Sequence, residues 1–353
     1  MTPELASSLF ETIPMPIILI GTDQTIAAMN QPAERLVGGH MRGRHYITAL
    51  RQPNLLDKIE RTIETGEAQH ARYLGREAER ETIYQVQISS CPLGAVLAFT
   101  DKTADEDIGQ LRRDFVANVS HELRTPLTAL SGFIETLRGT AKSDPIAQDR
   151  FLTIMDHEAG RMTRLVDDLL SLSRVEAEGR VRPTEPVVLS NVLSETISNL
   201  EPVLDQAGAT LDIDDQSNGA AVAGDTNQLR QVVSNLIENA AKYGKRDGTI
   251  HITITPPTHE PQLRAEGIRL VVRDEGQGIA PHHLARLTER FYRVDSHRSR
   301  EVGGTGLGLA IVKHIINRHR GRLQIDSVEG EGSIFSVILP VFTGKDASKG
   351  GLS

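Results

Sequence analysis

The sequence predicts a multidomain α+β protein: a small α/β unit, a long helical hairpin, and a second α/β unit. Three observations carry this expectation. Strand-like alternation and turn signals fill residues 1–102, an apolar 3,4 repeat runs through the helix-rich stretch 103–180, and strands alternate with amphipathic helices again over 185–343. At 353 residues the chain is too long for one ordinary domain. Residues 344–353, "GKDASKGGLS", read as a disordered tail.

In the first segment, "IILIGTDQTIAAMN" reads as strand, turn and strand, followed by a helix around "QPAERLVG". "IYQVQISSC" alternates apolar and polar residues as a half-buried strand does, and "GAVLAFTD" is its expected neighbour across Cys91-Pro92 and Gly94. In the second segment one seam runs through Val116, Val119, Leu123, Leu127, Leu130, Ile134 and Leu137. After the turn signal "GTAKSDP" a second runs through Leu152, Met155, Ala159, Met162, Val166 and Leu169. Two such helices form an antiparallel hairpin, and a lone hairpin buries too little surface to be stable. A homodimer, closing a four-helix bundle, is the expected completion. The stretch "EGRVRPTEP" (178–186) reads as a linker. Beyond it, strand-like runs occur at "IHITIT", "IRLVVRD", "RLQIDS" and "SIFSVILP", and helical patterns at 226–243, 282–292 and 306–319.

Composition excludes several classes of function. With 47 Asp+Glu against 39 Lys+Arg the net charge is −8, which argues against the chain gripping a nucleic acid. Cys91 is the only cysteine, so there is no internal disulfide and no cysteine-built zinc site. No run approaches the roughly 20 apolar residues that span a bilayer. "PMPIILIG" is short, and Glu4 and Glu11 stand where a signal peptide has basic residues. A cytoplasmic protein is expected, with membrane association only through a partner.

Three constellations in the last segment point to chemistry. In "NQLRQVVSNLIENAAKYG", Asn235, Asn239 and Lys242 share one polar ridge beside the buried stripe Leu229, Val232, Val233, Leu236, Ile237 and Ala240. Amide oxygens ligate hard cations and a lysine meets phosphate oxygens, although the ridge alone is equally a solvated helix face. "DEGQGI" (274–279) follows a strand, with Asp274 set to accept a hydrogen bond and Gly276 and Gly278 permitting close backbone approach. "GGTGLGLAIV" (303–312) is a glycine-rich loop entering a helix, an arrangement that favours phosphate. Each alone is weak; the three in this order signal a nucleotide phosphate site with a metal. There is no G-x-x-x-x-G-K-[ST] loop, no dinucleotide fingerprint opening a βαβ unit, and no H-R-D or D-F-G element, so a different ATP fold is required.

With these residues in view, "SHELRTPL" resembles the H box of sensor histidine kinases. "NLIENAAKYG", "DEGQGI", "ERFYRVD" and "GTGLGLAIV" resemble their N, G1, F and G2 boxes, in the expected order. The resemblance covers about residues 110–340; the wording of "DFVANVSHELRTPLTALSGFIETL" is most similar to the phosphate-regulon type (PhoR type). The N-terminal "ETIPMPIILIGTDQTIAAMNQPAERLVG" resembles a PAS domain. Typical relatives carry membrane helices before that domain, and none is evident in this sequence.

The resemblance implies a PAS-like sensor domain (1–102), a dimerisation and histidine-phosphotransfer (DHp/HisKA) hairpin (103–180), and an ATP-binding catalytic domain of the GHKL or Bergerat type (185–343). It implies that His121 takes the γ-phosphoryl group of Mg-ATP and passes it to the receiver domain of a response regulator. Glu122 accepts the proton of the ring nitrogen that does not attack. Thr125, one turn on, orients a water for dephosphorylation of the regulator. Asn239 and Asn235 are the implied Mg²⁺ ligands; Lys242 and Tyr243 surround the phosphates, Asp274 meets the adenine amino group, and Gly276 and Gly278 belong to the implied ATP site. Arg290 and Arg293 neutralise the transferring phosphoryl, and Gly304, Gly306, Leu307 and Gly308 complete the phosphate loop. The loop 294–303 is the expected lid over ATP.

Other readings bear on single features. Pro126 removes a helical hydrogen bond beside His121 and Glu122, so the helix is expected to bend or loosen there. Cys91 lacks the motif of a flavin-adduct cysteine and reads as a packed strand residue. Nothing around His40, His45 and His70 favours haem over surface positions. The rival functions are another ATPase of the same fold, of chaperone or mismatch-repair type, which lacks a hairpin with an H box, and an ATP-binding scaffold without kinase activity.

Overall fold

The structure, a computed structural model, describes residues 10–77, 80–177, 182–294 and 304–343. By its contacts the chain divides into two compact units, Met1–Ala117 and Asn118–Ser353.

The first unit contains β1 (Ile17–Gly21), β2 (Ile26–Met29), α1 (Gln31–Val37), α2 (Tyr46–Ala49), α3 (Pro53–Thr65), β3 (Gln69–Glu77), β4 (Arg80–Cys91) and β5 (Gly94–Asp101). The turn between β1 and β2 is held by the Asp23 carboxylate, which accepts from the Thr25 backbone N–H at 3.1 Å. Asn30 is fully buried because its side chain does three jobs. Its Oδ1 accepts from Ala33 N–H at 3.1 Å, capping α1, and from Ile17 N–H at 2.9 Å, while its Nδ2 donates to the Met15 carbonyl at 2.8 Å. The strands form one antiparallel sheet in the order β2-β1-β5-β4-β3, consistent with the expected PAS-like α/β unit. Its core, including Ile18, Ile20, Tyr46, Leu50, Leu55, Ile59, Leu97 and Phe99, is closed from solvent.

Two long helices follow. They are α4 (Thr103–Arg138), whose residues from 118 belong to the second unit, and α5 (Pro145–Ala177). Phe133 and Phe151 pack with ring centroids 5.4 Å apart near the connecting turn, and Glu122 meets Arg161 farther along, the pairing of antiparallel helices. Asp144 begins α5 by accepting from Ile146 N–H at 3.1 Å and Ala147 N–H at 3.0 Å, with Pro145 in the first turn, where its missing N–H costs nothing. The loosening expected at Pro126 is not an interruption: α4 is continuous through it. The local loss is the backbone donor for the Glu122 carbonyl, and the Thr125 hydroxyl donates to the preceding His121 carbonyl at 3.2 Å.

The remainder of the second unit is an α/β sandwich. Its elements are β6 (Glu185–Val188), α6 (Leu189–Ala207), β7 (Thr210–Asp215), β8 (Ala221–Gly224), α7 (Thr226–Tyr243), β9 (Thr249–Ile254), β10 (Thr258–Glu260), β11 (Ala265–Asp274), α8 (Pro281–Leu284), α9 (Gly308–Arg318), β12 (Arg322–Val328) and β13 (Gly332–Pro340). The main sheet has the order β12-β13-β11-β9-β7, with β10 on β11; β7 and β9 run parallel and the other pairs antiparallel. The predicted stripe of α7 and the apolar face of α9 (Ala310, Ile311, Val312, Ile315, Ile316) are buried.

Three expectations are modified. The end of the supposed linker, from Glu185, is strand β6, paired with β8. The helix expected over 282–292 is only α8 and a series of turns, such as Arg286 N–H to the His283 carbonyl at 2.9 Å. Phe291, at φ 63°, cannot continue a right-handed helix; its N–H donates instead to the Gly306 carbonyl at 2.8 Å. The supposed lid, from 295 to 303, and the tail at 344–353 lie outside the described residues.

Candidate active site

Helix α7 starts where Asp225 accepts from Asn227 N–H at 2.9 Å and Gln228 N–H at 3.1 Å. Its partner from the far end of the domain is His319, whose Nε2 accepts from Asp225 N–H at 3.0 Å while Nδ1 donates to the Ile315 carbonyl at 2.7 Å. That bonding requires a neutral ring, and burial pulls the His319 imidazole below its ordinary pKa. So the start of α7 and the end of α9 are tied together, which sets the polar ridge of α7 against the glycine-rich loop before α9.

The glycines show how tight that setting is. A Cβ on Gly308 would lie 2.7 Å from Asn235 Oδ1, so the loop passes directly over the first amide of the ridge. A Cβ on Gly276 would lie 2.3 Å from the Tyr243 carbonyl oxygen, so the 274–279 turn packs on the end of α7. Gly278 and Gly306 both take positive φ, 66° and 73°. Asp274 is buried, its Oδ1 accepts from Gly276 N–H at 2.8 Å, and burial raises its pKa above the usual carboxylate range. Lys242 Nζ pairs with Glu238 at 2.7 Å, one turn back on the same helix. The site thus has two ends: Asp274, Gly276 and Tyr243 at one, and Asn235, Gly308 and Leu307 at the other, with Asn239 one turn from Asn235 on α7.

On the hairpin, His121 is exposed on α4, with Glu122 half-buried next to it. The two arginines of "ERFYRVD" meet hairpin carboxylates. Arg293 Nη2 donates to Glu122 Oε2 at 3.2 Å and also to the Gly304 carbonyl. Arg290 pairs with Glu176, which His314 Nε2 approaches at 3.5 Å. Burial pulls Arg293 below its ordinary pKa, opposed by Glu122. Its Nε is buried without an acceptor, a donor available to an anion.

Four further residues of this contact escaped the sequence reading. Arg161 Nη2 donates to Glu122 Oε2 at 2.9 Å, and the Thr305 hydroxyl donates to Asp168 Oδ2 at 2.6 Å. Burial raises the pKa of Asp168. Glu176 takes Arg290, and Thr305 lies inside the glycine loop. A signal for Arg161 and Asp168 exists: Arg161, Leu165, Asp168, Leu172 and Val175 recur at 4,3,4,3 spacing, a second stripe on α5 beside the predicted seam. Leu165, Leu172 and Val175 are buried, whereas Leu152 and Val166 of the predicted seam are exposed.

The residues fit a nucleotide with a divalent ion. Among the described residues no group of three His, Cys, Asp or Glu is placed to hold a metal. Asn239 and Asn235 would be the residues to hold such an ion, offering amide oxygens, and Mg²⁺ commonly leaves its other positions to phosphate and water.

Comparison with known proteins agrees with this architecture. Residues 111–178 match the His Kinase A (phospho-acceptor) domain, and residues 224–343 match the histidine kinase-, DNA gyrase B- and HSP90-like ATPase family. The class is therefore a phospho-acceptor helical hairpin joined to an ATPase domain. The chain belongs to the sensor histidine kinases, as its relatives also indicate. It is 43% identical over 237 residues to the phosphate regulon sensor protein PhoR of Pseudomonas aeruginosa, covering 67% of this chain and 52% of that protein. It is 31% identical over 323 residues to the sensor protein kinase WalK of Staphylococcus saprophyticus, covering 92% of this chain and 51% of that one. The chain thus spans about half the length of these curated relatives. A solved histidine kinase, ThkA in complex with the response regulator protein TrrA, has the same fold at TM-score 0.53 and 20% identity, covering 96% of this chain and 98% of that one. Among the described residues no helix is long and apolar enough to cross a membrane.

Proposed function

We propose that the protein is a homodimeric sensor histidine kinase that phosphorylates itself on His121 from Mg-ATP and passes the phosphoryl group to an aspartate of a response-regulator receiver domain. The observation that carries this reading is the ion pair between Arg293 of the ATP domain and Glu122 beside His121, at 3.2 Å. It joins the nucleotide side of the molecule to the residue next to the acceptor.

In the reaction, one imidazole nitrogen of His121 attacks the γ-phosphorus. The N–P bond forms as the P–O bond to the β-phosphate breaks, and ADP leaves with the electron pair. Glu122 takes the proton of the other ring nitrogen, which keeps the attacking nitrogen nucleophilic. Asp274 holds the adenine amino group, Lys242 and Tyr243 flank the phosphates, and the backbone N–H groups of the 304–308 loop cradle them. Asn239 and Asn235 hold Mg²⁺, which neutralises phosphate charge. Arg293 and Arg290 offer positive charge to the transferring group once they leave their carboxylates. In the second step the N–P bond breaks and an aspartyl O–P bond forms on the regulator. Thr125 orients a water in the reverse duty, hydrolysis of that aspartyl phosphate, and Pro126 couples helix movement to the balance between the two. The use of ATP and a response regulator puts the chemistry in the cytoplasm, with any membrane association through a partner. Similarity to the phosphate regulon sensor supports phosphate starvation as the stimulus.

The test is incubation of the purified full chain with γ-labelled ATP and Mg²⁺, beside His121→Gln. An acid-labile, alkali-stable label present only in the wild type is the expected result. A label that survives in His121→Gln, or a wild type that takes none, sinks the reading.

A further inference from the structure

Glu122 receives two guanidinium groups on a single oxygen. Arg161 Nη2 reaches Oε2 at 2.9 Å and Arg293 Nη2 reaches the same atom at 3.2 Å. The two cations come from different places. Arg293 belongs to the ATP domain and has phosphate chemistry to attend to. Arg161 stands on α5, in the same hairpin as Glu122, so it stays when the ATP domain moves. Its side chain is only 8% exposed, and its Nη1 lies 3.7 Å from Glu158, one turn earlier on α5. An arginine this buried needs its partners, because an unpaired charge at that depth is costly. Its fork is also rigid, so the carboxylate it binds is held in one orientation.

We infer that Arg161 is a positioning residue for autophosphorylation: it anchors Glu122 through Oε2 and so presents Oε1 to the ring nitrogen of His121 that must lose its proton. This deepens the function proposed above and rests on it. The arrangement also explains why an arginine shares the α5 stripe with the buried Leu165, Leu172 and Val175. Replacing it with a hydrophobic residue would leave the packing of Leu165 and Leu172 in place but release the Glu122 carboxylate to rotate.

A structural ion pair and a positioning residue predict different kinetics. Autophosphorylation of the full chain is measured for wild type, Arg161→Met, Arg161→Lys, Glu122→Gln and the double variant Arg161→Met/Glu122→Gln. Arg161→Met is expected to lower kcat about tenfold with KM for ATP unchanged, since the ion pairs of Arg161 are to Glu122 and Glu158, neither of them a proposed ATP ligand. Arg161→Lys, which keeps the charge, recovers part of the loss. In the Glu122→Gln background, Arg161→Met has no further effect, because the group through which it acts is gone. The same fold loss in both backgrounds, or a raised KM with kcat intact, overturns the inference while a labelled wild type leaves the kinase reading standing. A wild type without label overturns both. If Arg161→Met does not fold, the cycle is run with Arg161→Lys, whose smaller loss must likewise vanish with Glu122→Gln.

Discussion

The first unit and the helical hairpin handle their apolar residues in opposite ways. In the first unit, Ile18, Leu50, Leu97 and Phe99 are all 0% exposed, so one chain closes the core by itself. In the hairpin, Leu127 is 50% and Leu152 is 56% exposed, and Ile134 and Val166 are also open. One stripe of α5 is covered by its own chain and the neighbouring seam is not. The sheet of the first unit brings distant strands into contact on both sides of each central strand. A helix pair has only one mutual face, so a second apolar stripe needs another body. A second copy of the chain, presenting the same seam, is the proposed cover.

The largest effect should come from breaking the closed core. Phe99 packs edge-on against Tyr73 and Tyr84, with centroids 5.5 and 6.2 Å away. Phe99→Ala should destabilise the first unit by about 3–5 kcal/mol, read as a lower urea midpoint. Retention of the wild-type midpoint would mean that core is not closed as described.

The open seam should respond quite differently. Leu127→Asp puts a charge where the dimer core is proposed, and it should halve the solution mass in sedimentation equilibrium. The urea midpoint of the first unit should not move. A mass equal to wild type would show that the seam is not what joins two copies.

Smaller effects lie in the ATP domain, which is closed toward its sheet and open along the polar ridge of α7. Gly308→Ala places a methyl 2.7 Å from Asn235 Oδ1, so that amide must shift. ATP affinity should fall about tenfold, roughly 1.4 kcal/mol, in a nucleotide-binding titration. An unchanged affinity would remove Asn235 from the site.

The smallest is a pH effect. Because burial lowers the folded-state pKa of His319, its contribution to stability is full above the ordinary imidazole value, about 6.5. It is lost as pH falls from there through the folded-state pKa, since the unfolded chain then binds the proton more readily. His319→Gln, whose amide oxygen can still accept from Asp225 N–H, should show a shallower drop in Tm between pH 7 and 5. Equal slopes would rule out His319 as the titrating group.

Much of the molecule was legible in the chain itself. The limits of α7 agree with the sequence expectation over 226–243, because its apolar period, its Asp225 cap and Gly244 agree with one another. The strands of β4, β5, β9, β11, β12 and β13 were readable from short-range alternation. The glycine turns were readable, since Gly278 and Gly306 take the positive φ that such turns require. β7 was missed, since "TLDIDD" is largely exposed and carries a weak pattern. The helix expected over 282–292 was a false reading: its apolar spacing was adequate, but Phe291 is pinned to Gly306 by a tertiary hydrogen bond.

What the sequence determined alone, then, is every feature whose cause is local: periodicity, caps, turns and motif residues within a few positions of one another. Only the tertiary structure decided which carboxylates face the two arginines of "ERFYRVD". Glu122 lies 171 positions from Arg293, and Glu176 lies 114 from Arg290. No local propensity encodes such pairs. They exist because the buried stripe of α5 brings the ATP domain against the hairpin, and charge at the edge of that contact must find a partner or remain in water.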